Sequence, residues 1–234
     1  MPISSMTLRR LWDAAADLAL GSSCPGCHAC GWGLCDTCRE QLPAAPHSVV
    51  RPDWPPGPQV VAGGWYREPL SSMVIAHKDD GAWQLAGVLG GLLAGAIDAI
   101  ERDSNSKAVL VPVPSDRAAV RRRGYDHSRA LANAAGRRLG IGVVPLLKRA
   151  RAADDQVGRG RDDRLGSQCD TMVALGASSV PLIVTDDVVT TGATMVEAVR
   201  ALRAAGCFVQ GAAVICDTPR YATAGLGATD QSDE

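Results

Sequence analysis

The segment from Leu182 to Thr194 constrains the fold of this chain more than any other stretch. It starts as an apolar run, continues through Asp186 and Asp187, and ends in a loop rich in threonine and glycine. A short apolar run bounded in this way is typical of a buried strand, and the residues from Ala193 onward have helical character. Strand–loop–helix units of this kind build α/β folds with a mostly parallel sheet.

The rest of the chain repeats the alternation of strand and helix. We predict strands at 60–66, 108–114, 180–185 and 209–215, and helices at 84–100, 126–139 and 193–205. Asp126 is placed to cap the helix that ends before Gly140. With aromatic residues at only 4% of the chain, the core must be built from Ala, Val, Leu and Ile, which suits a buried parallel sheet flanked by helices.

The loop after the acid pair has the composition of a phosphate site. In open α/β sheets, ligands bind beyond the carboxyl ends of the strands, and the N-terminus of the next helix attracts anions. Gly192 lets a ligand approach the backbone closely, and Thr190, Thr191 and Thr194 add hydroxyl donors. No G-x-x-x-x-G-K-[ST] sequence occurs, which argues against a nucleoside triphosphate.

Two carboxylates beside a phosphate loop would repel the phosphate unless they serve another part of the ligand. Asp186 and Asp187 can accept hydrogen bonds from sugar hydroxyls or hold Mg²⁺, and a ribose 5-phosphate offers both a phosphate and vicinal hydroxyls. Because the acids end an apolar strand, we expect both to face solvent and to be dispensable for the core.

Four cysteines near the N-terminus have the spacing of a small zinc knuckle. Cys24 and Cys27 form one C-x-x-C pair, and Cys35 and Cys38 form a second. A segment this short and rich in glycine has no core of its own, so a bound metal would supply its folding energy. We expect a structural Zn²⁺, with Cys30 outside the ligand set.

Composition divides the chain further. Residues 1–42 hold an amphipathic helix and the knuckle, residues 43–59 contain six prolines and read as a linker, residues 60–220 form the main domain, and residues 221–234 a flexible tail. No apolar run suggests membrane insertion, and Asp13 and Asp17 interrupt what would be the core of a signal peptide, so we expect a cytoplasmic protein.

Charge is concentrated in one region. Between Arg117 and Arg164, twelve arginines and one lysine stand against five aspartates, although the whole chain carries a net charge of −1. A block this basic indicates an anionic partner, either phosphates or nucleic acid, unless these arginines simply cover solvated helix faces.

Several sequences together carry a family resemblance. The strand, paired acids and Thr-Thr-Gly-x-Thr loop resemble the 5-phosphoribosyl pyrophosphate (PRPP) signature of type I phosphoribosyltransferases. Val111-Pro-Val-Pro114, Arg121-Arg-Arg-Gly-Tyr-Asp-His-Ser128 and Gln156 to Arg164 follow in the order seen in the ComF family of competence-associated phosphoribosyltransferase-like proteins. Tyr125, Asp126 and His127 depart from the commoner form R-G-F-N-Q-S, so no role is carried over to Asp126 or His127.

The resemblance implies roles for particular residues. Asp186 and Asp187 would hold the ribose hydroxyls and Mg²⁺, and the turn after the strand at 108–114 would cradle pyrophosphate. A mobile loop would close over the site, with Arg151, Arg159 and Arg161 as candidates for neutralising the departing pyrophosphate. Lys78 is a weaker candidate for a phosphate contact. The implied PRPP-binding set is Lys78, Val113, Pro114, Ser115, Asp186, Asp187, Val188, Val189, Thr190, Thr191, Gly192, Ala193 and Thr194.

Two functions follow from this resemblance. The first is transfer of a 5-phosphoribosyl group from PRPP to a nitrogenous acceptor with release of pyrophosphate. The alternative is a non-catalytic PRPP-binding protein acting in single-stranded DNA uptake or processing. The acceptor is not identified by the sequence, because no transferable motif marks its site.

Overall fold

Parallel strands form the framework of the protein. The computed structural model describes residues 23–31, 33–102, 104, 107–150 and 171–219. Its strands are β1 (His47–Ser48), β2 (Gln59–Trp65), β3 (Val109–Pro112), β4 (Leu147–Arg149), β5 (Met172–Ala174), β6 (Leu182–Val189) and β7 (Val209–Asp217). The helices are α1 (Asp36–Glu40), α2 (Leu70–Asp79), α3 (Ala86–Glu101), α4 (Arg117–Arg123), α5 (His127–Leu139) and α6 (Ala193–Ala204), and a 3-10 turn at Trp83–Leu85 precedes α3.

The main sheet has five strands in the order β1-β2-β7-β6-β3. Neighbours from β2 to β3 run parallel, and β1 pairs antiparallel with β2 at the edge. Strands β4 and β5 form a separate antiparallel pair. This mostly parallel sheet with flanking helices confirms the predicted α/β class. The carboxyl ends of β2, β3, β6 and β7 all lie at the same end of the sheet.

Strand β6 is longer than predicted. Its ladder with β7 continues through Val189, which pairs with Asp217, rather than stopping at Thr185. Asp186 and Asp187 therefore lie within the strand, because β7 offers backbone partners as far as its own carboxyl end.

Helices cover both faces of the sheet, as the alternation of side chains along a strand requires. On one face, Ile183 and Ile215 pack in a core with Leu89, Leu93 and Ile97 of α3. On the other face, residues from the same two strands pack against α6, in a core that includes Val184, Val199, Leu202 and Val214.

Helix α3 packs closely against α5. A Cβ atom at Gly90 would lie 2.5 Å from that of Ala134, so only glycine allows this approach. The stretch Trp83–Glu101 is long and apolar enough to span a membrane, with a mean hydropathy of 1.4, contrary to the expectation that no such stretch occurs. Its buried face packs on the sheet, as expected of the core helix of a globular domain.

The proline-rich segment contributes to the sheet through β1, a regular element that the sequence did not predict. Val49, which follows β1, is buried and donates its N–H to the carbonyl of Val60. The predicted N-terminal helix and the C-terminal tail lie outside the described residues. Helix α5 has its predicted boundaries, with the Asp126 side chain capping Arg129 N–H and Gly140 closing the helix at φ 69°.

Candidate functional site

The two neighbouring acids of β6 differ in exposure. Asp187 is buried, whereas Asp186 is partly exposed. The expectation that both acids face solvent is wrong for Asp187, because α2 and α5 each supply a partner to its carboxylate. Lys78 Nζ donates to Oδ2 of Asp187 at 2.7 Å, and His127 Nε2 lies 3.3 Å from the same oxygen.

The environment drives the pKa values of the two acids apart. Burial alone would raise the pKa of Asp187, but hydrogen bonding with His127 and the positive charge of Lys78 outweigh it, so this pKa lies below its usual value. Burial and the adjacent Asp187 carboxylate raise the pKa of Asp186 well above its ordinary value. Burial opposes the charge of Lys78, yet Asp187 raises the pKa of this lysine above its usual value. Asp187 and Lys78 thus form a charged pair beside a more readily protonated Asp186.

His127 links Asp187 to the basic end of α4. Arg123 Nη1 lies 3.1 Å from Nδ1 of His127, and Arg123 also pairs with Asp79 at 3.2 Å. A guanidinium can only donate, so Nδ1 must accept and the imidazole proton belongs on Nε2, facing Asp187. The hydrogen-bond partners therefore assign the Nε2–H tautomer to His127.

The turn after β3 meets the start of α5 through a serine. Ser115 Oγ donates to Oδ1 of Asp126 at 2.8 Å and lies 3.2 Å from Nδ1 of His127. Val113 is buried, and Pro114 and Ser115 are partly exposed. The predicted pyrophosphate turn is thus held next to His127.

The loop between β6 and α6 is covered by a side chain from the proline-rich segment. Thr190, Thr191 and Thr194 are exposed, but Gly192 is buried at φ 84°. The indole of Trp54 lies against it, so a Cβ atom at Gly192 would come within 2.0 Å of the ring. Glycine is therefore required here both by the backbone conformation and by the indole, rather than by a ligand alone.

An ion pair ties the proline-rich segment to the end of β7. Arg51 donates through Nη1 and Nη2 to the two carboxylate oxygens of buried Asp217, and through Nη2 to the carbonyl of Thr218. Its guanidinium also lies 5.9 Å from the centre of the Trp54 ring. The Arg51 and Trp54 side chains therefore lie at the carboxyl end of the sheet, on the same side as the acid pair.

An open cavity of about 580 Å³ lies beside the Arg123–Asp79 pair. It mixes two acidic and two basic side chains with a tyrosine whose hydroxyl donates to the carbonyl of buried His77. Its lining residues are Asp79, Asp80, Gly81, Arg122, Arg123 and Tyr125. Through Arg123, this cavity adjoins His127 and the acid pair.

The arginines predicted to meet pyrophosphate, Arg151, Arg159 and Arg161, lie outside the described residues. The strands that flank them are described. Arg149 at the end of β4 donates from Nε to the carbonyl of Pro114 at 3.0 Å. Arg149, the last residue of β4, therefore lies next to the turn after β3.

The four predicted zinc ligands come together. Their sulfur atoms all lie within 4.8 Å of one another, with Cys27 and Cys35 at 3.6 Å, and Cys30 is not part of the group. A tetrahedral zinc thiolate site with bonds of about 2.3 Å requires sulfur atoms roughly 3.8 Å apart, so the cluster fits such an ion.

Backbone amides support negative charge in the cluster. Sγ of Cys24 accepts the N–H groups of Gly26 and Cys35, each at 3.4 Å. Burial alone would raise the pKa of Cys24, but these backbone hydrogen bonds and one from Cys27 lower it to about 6. The backbone around Cys24 therefore favours the thiolate form of this one cysteine.

The cysteine cluster packs on the main domain rather than standing apart. Cys24, Leu34 and Cys38 share one core with Leu70 and Met73 of α2. Since α2 ends at the residue after Lys78, the cysteine cluster supports the helix that carries a partner of Asp187.

Sequence reasoning missed three contributors to this region: Trp54, Asp217 and His127. Asp217 and Trp54 carry no local signal, because Asp217 is the last residue of an apolar strand and Trp54 lies among prolines. His127 follows the N-cap residue Asp126 at the start of a helix, and that position could have indicated its place in the site.

Comparison with known proteins gives a weak likeness. No family model and no curated protein matches the sequence. Among solved structures, adenine phosphoribosyltransferase from Thermoanaerobacter pseudethanolicus is similar at 16% identity with a TM-score of 0.36, over 76% of this chain and 83% of that chain. A likeness at this level carries no argument about activity.

Proposed function

We propose that this protein binds PRPP with Mg²⁺ and transfers the 5-phosphoribosyl group to a nitrogenous acceptor, releasing pyrophosphate. The observation that carries the proposal is the position of Asp186. This partly exposed residue lies in the second half of β6, four residues before the loop that opens α6. An acceptor for sugar hydroxyls and a phosphate loop are thus adjacent.

In this proposal the loop holds the 5-phosphate. The first N–H groups of α6 have no carbonyl partner within the helix, and the helix dipole favours an anion there. Thr190, Thr191 and Thr194 add exposed hydroxyl groups. Val188, Val189 and Ala193 contribute backbone, and Gly192 shapes the turn.

The carboxylates then have different roles. Asp186 accepts hydrogen bonds from the ribose hydroxyls, and with oxygen atoms of PRPP it would hold Mg²⁺, which supplies positive charge to the pyrophosphate. Asp187 acts through its neighbours, because it orients Lys78 and His127. One of the three Lys78 N–H groups meets Asp187, and the remaining two are available to phosphate oxygens.

The bond that breaks joins C1 of the ribose to a pyrophosphate oxygen, and the bond that forms joins C1 to the acceptor nitrogen. The turn at Val113, Pro114 and Ser115 receives the pyrophosphate. Negative charge grows on that leaving group, so Arg151, Arg159 and Arg161 are the proposed source of neutralising charge.

The first test is thermal stability in the presence of PRPP and Mg²⁺. A ligand that binds only the native state raises the melting temperature, and millimolar PRPP should do so. Asp186→Asn should largely lose the shift. Folded wild-type protein that shows no shift at millimolar PRPP would overturn the proposal. Release of pyrophosphate with a panel of amines and bases then identifies the acceptor.

A second candidate is a non-catalytic PRPP-binding protein that handles single-stranded DNA. The observation in its favour is that Arg117, Arg121 and Arg122 are exposed together on the short helix α4. Binding to DNA phosphates would weaken steeply as salt increases. PRPP binding without turnover, together with salt-dependent binding of single-stranded DNA, would favour this candidate over the transferase.

A further inference from the structure

A hydrogen bond fixes the orientation of one peptide unit in the loop between β6 and α6. Nε1 of Trp54 donates to the carbonyl of Thr191 at 2.8 Å. A trans peptide places its carbonyl and its N–H on opposite sides. The N–H of Gly192, in the same peptide unit, therefore points away from the indole.

Glycine by itself does not hold this orientation. Gly192 lies at φ 84°, and a glycine adopts positive and negative φ about equally well. The peptide between Thr191 and Gly192 could turn over at little cost if nothing held its carbonyl. The indole provides that hold, and its ring packs on the Cα of Gly192.

The indole is itself anchored. The backbone N–H of Trp54 donates to the carbonyl of Arg51 at 3.2 Å, which closes a turn. Arg51 is fixed on Asp217, and the next residue, Thr218, donates its N–H to the carbonyl of Val189. A chain of contacts thus connects the indole to the carboxyl ends of both β6 and β7.

We propose that Trp54 is a positioning residue that orients the Thr191–Gly192 peptide so that the Gly192 N–H faces a bound phosphate. This inference rests on the proposed function for its ligand, the 5-phosphate of PRPP. It assigns a role in the site to a residue of the proline-rich segment, outside the acid pair and the loop.

The test compares Trp54→Phe with the matched change Trp83→Phe. Phenylalanine keeps an aromatic ring over Gly192 but cannot donate, and Trp83 is exposed in the 3-10 turn before α3. One neutral hydrogen bond corresponds to roughly a two- to tenfold change in affinity. W54F should weaken the binding of PRPP and of ribose 5-phosphate by that factor and leave pyrophosphate binding unchanged. W83F should leave all three affinities unchanged.

Ribose 5-phosphate and pyrophosphate, the two parts of PRPP, separate a positioning role from a purely structural one. Equally weakened binding of pyrophosphate by W54F would indicate general damage to the fold. Unchanged or tighter binding of ribose 5-phosphate would show that the indole does not help the loop. Either result overturns the inference. Should W54F fold poorly, the indole ¹⁵N–H signal of Trp54 in wild-type protein decides: it should stay hydrogen-bonded when ribose 5-phosphate binds, and its release into solvent would contradict the proposal.

The same measurements distinguish this inference from the proposed function. Wild-type protein that binds inorganic phosphate but not PRPP would contradict the proposed function, and the effect of W54F on phosphate affinity would still decide the role of Trp54. Wild-type protein that binds no phosphate compound would overturn both.

Discussion

Lys78 Nζ and the Oδ2 atom of Asp187 lie 2.7 Å apart, although their positions in the chain differ by 109. The contact joins the end of α2 to β6 and places an ammonium group beside the acid pair. It also makes Asp187 a structural residue as well as a proposed site residue, since a buried carboxylate needs partners.

Replacing each acid by Asn should separate stability from binding. Asp187→Asn removes a charged hydrogen bond worth roughly 1.5–3 kcal/mol, and we expect a loss near the lower end because Lys78 is about one-third exposed. Asp186→Asn should keep or raise stability, because it relieves repulsion between adjacent acids. The same variant should weaken PRPP binding by at least about tenfold. Urea unfolding and titration calorimetry measure the two effects. Equal stability of both variants would show that the partners of Asp187 contribute nothing.

Purified protein should carry about one zinc ion per chain. Cys35→Ser should lose the ion and lower the melting temperature, since the cluster shares a core with α2. Cys30→Ser is the matched control and should retain the ion. Metal analysis with thermal melting checks both, and zinc lost from the Cys30 variant would mean that the ligands are wrongly assigned.

Gly192→Ala should damage the loop between β6 and α6. A methyl group there meets the Trp54 ring within 2.0 Å and forces a side chain into positive φ, a strain of roughly 1–3 kcal/mol. Gly176→Ala serves as control, because a Cβ atom at Gly176 meets nothing within 4 Å. We expect lower stability and weaker PRPP binding only for the Gly192 variant. Normal binding by that variant would argue that the loop geometry is unimportant.

Buried His77 should lower stability as pH decreases from about 6.5 to about 4, and Asp186 should oppose it, because its raised pKa lets the folded chain bind a proton more readily than the unfolded chain. Burial lowers the pKa of His77 from 6.5 to about 4, so within this window the unfolded chain binds a proton that the folded chain does not. His77 alone should reduce the free energy of unfolding by about 2 kcal/mol at pH 5 relative to pH 8. Burial also lowers the pKa of His47, which adds to the effect. The pKa of Asp187 is depressed in the folded protein, so its contribution to stability is also lost on acidification, but only below this window.

The variant His77→Leu isolates the contribution of this histidine. Urea unfolding at several pH values should show that the variant loses less stability than the wild type between pH 8 and pH 5, whatever its stability at pH 8. An unchanged pH dependence would assign the effect to other groups.

Features that depend only on neighbours in the chain could be predicted from local sequence. Helix α5 begins after Asp126 and ends before Gly140, because both caps are local hydrogen-bond and backbone effects. The strand, loop and α6 were predicted from periodicity and glycine, and the zinc ligands from cysteine spacing. Only their limits moved, as with β6, whose length depends on its partner strand.

The tertiary structure alone decided which groups meet in the site. Nothing near Asp187 in the sequence distinguishes it from Asp186. Its burial follows from Lys78 and His127, which packing of α2 and α5 on the sheet brings to it. The indole of Trp54 likewise reaches Gly192 across 137 intervening positions. Local patterns report hydrogen bonds within a few residues, whereas the site is made of contacts that exist only after distant segments have packed.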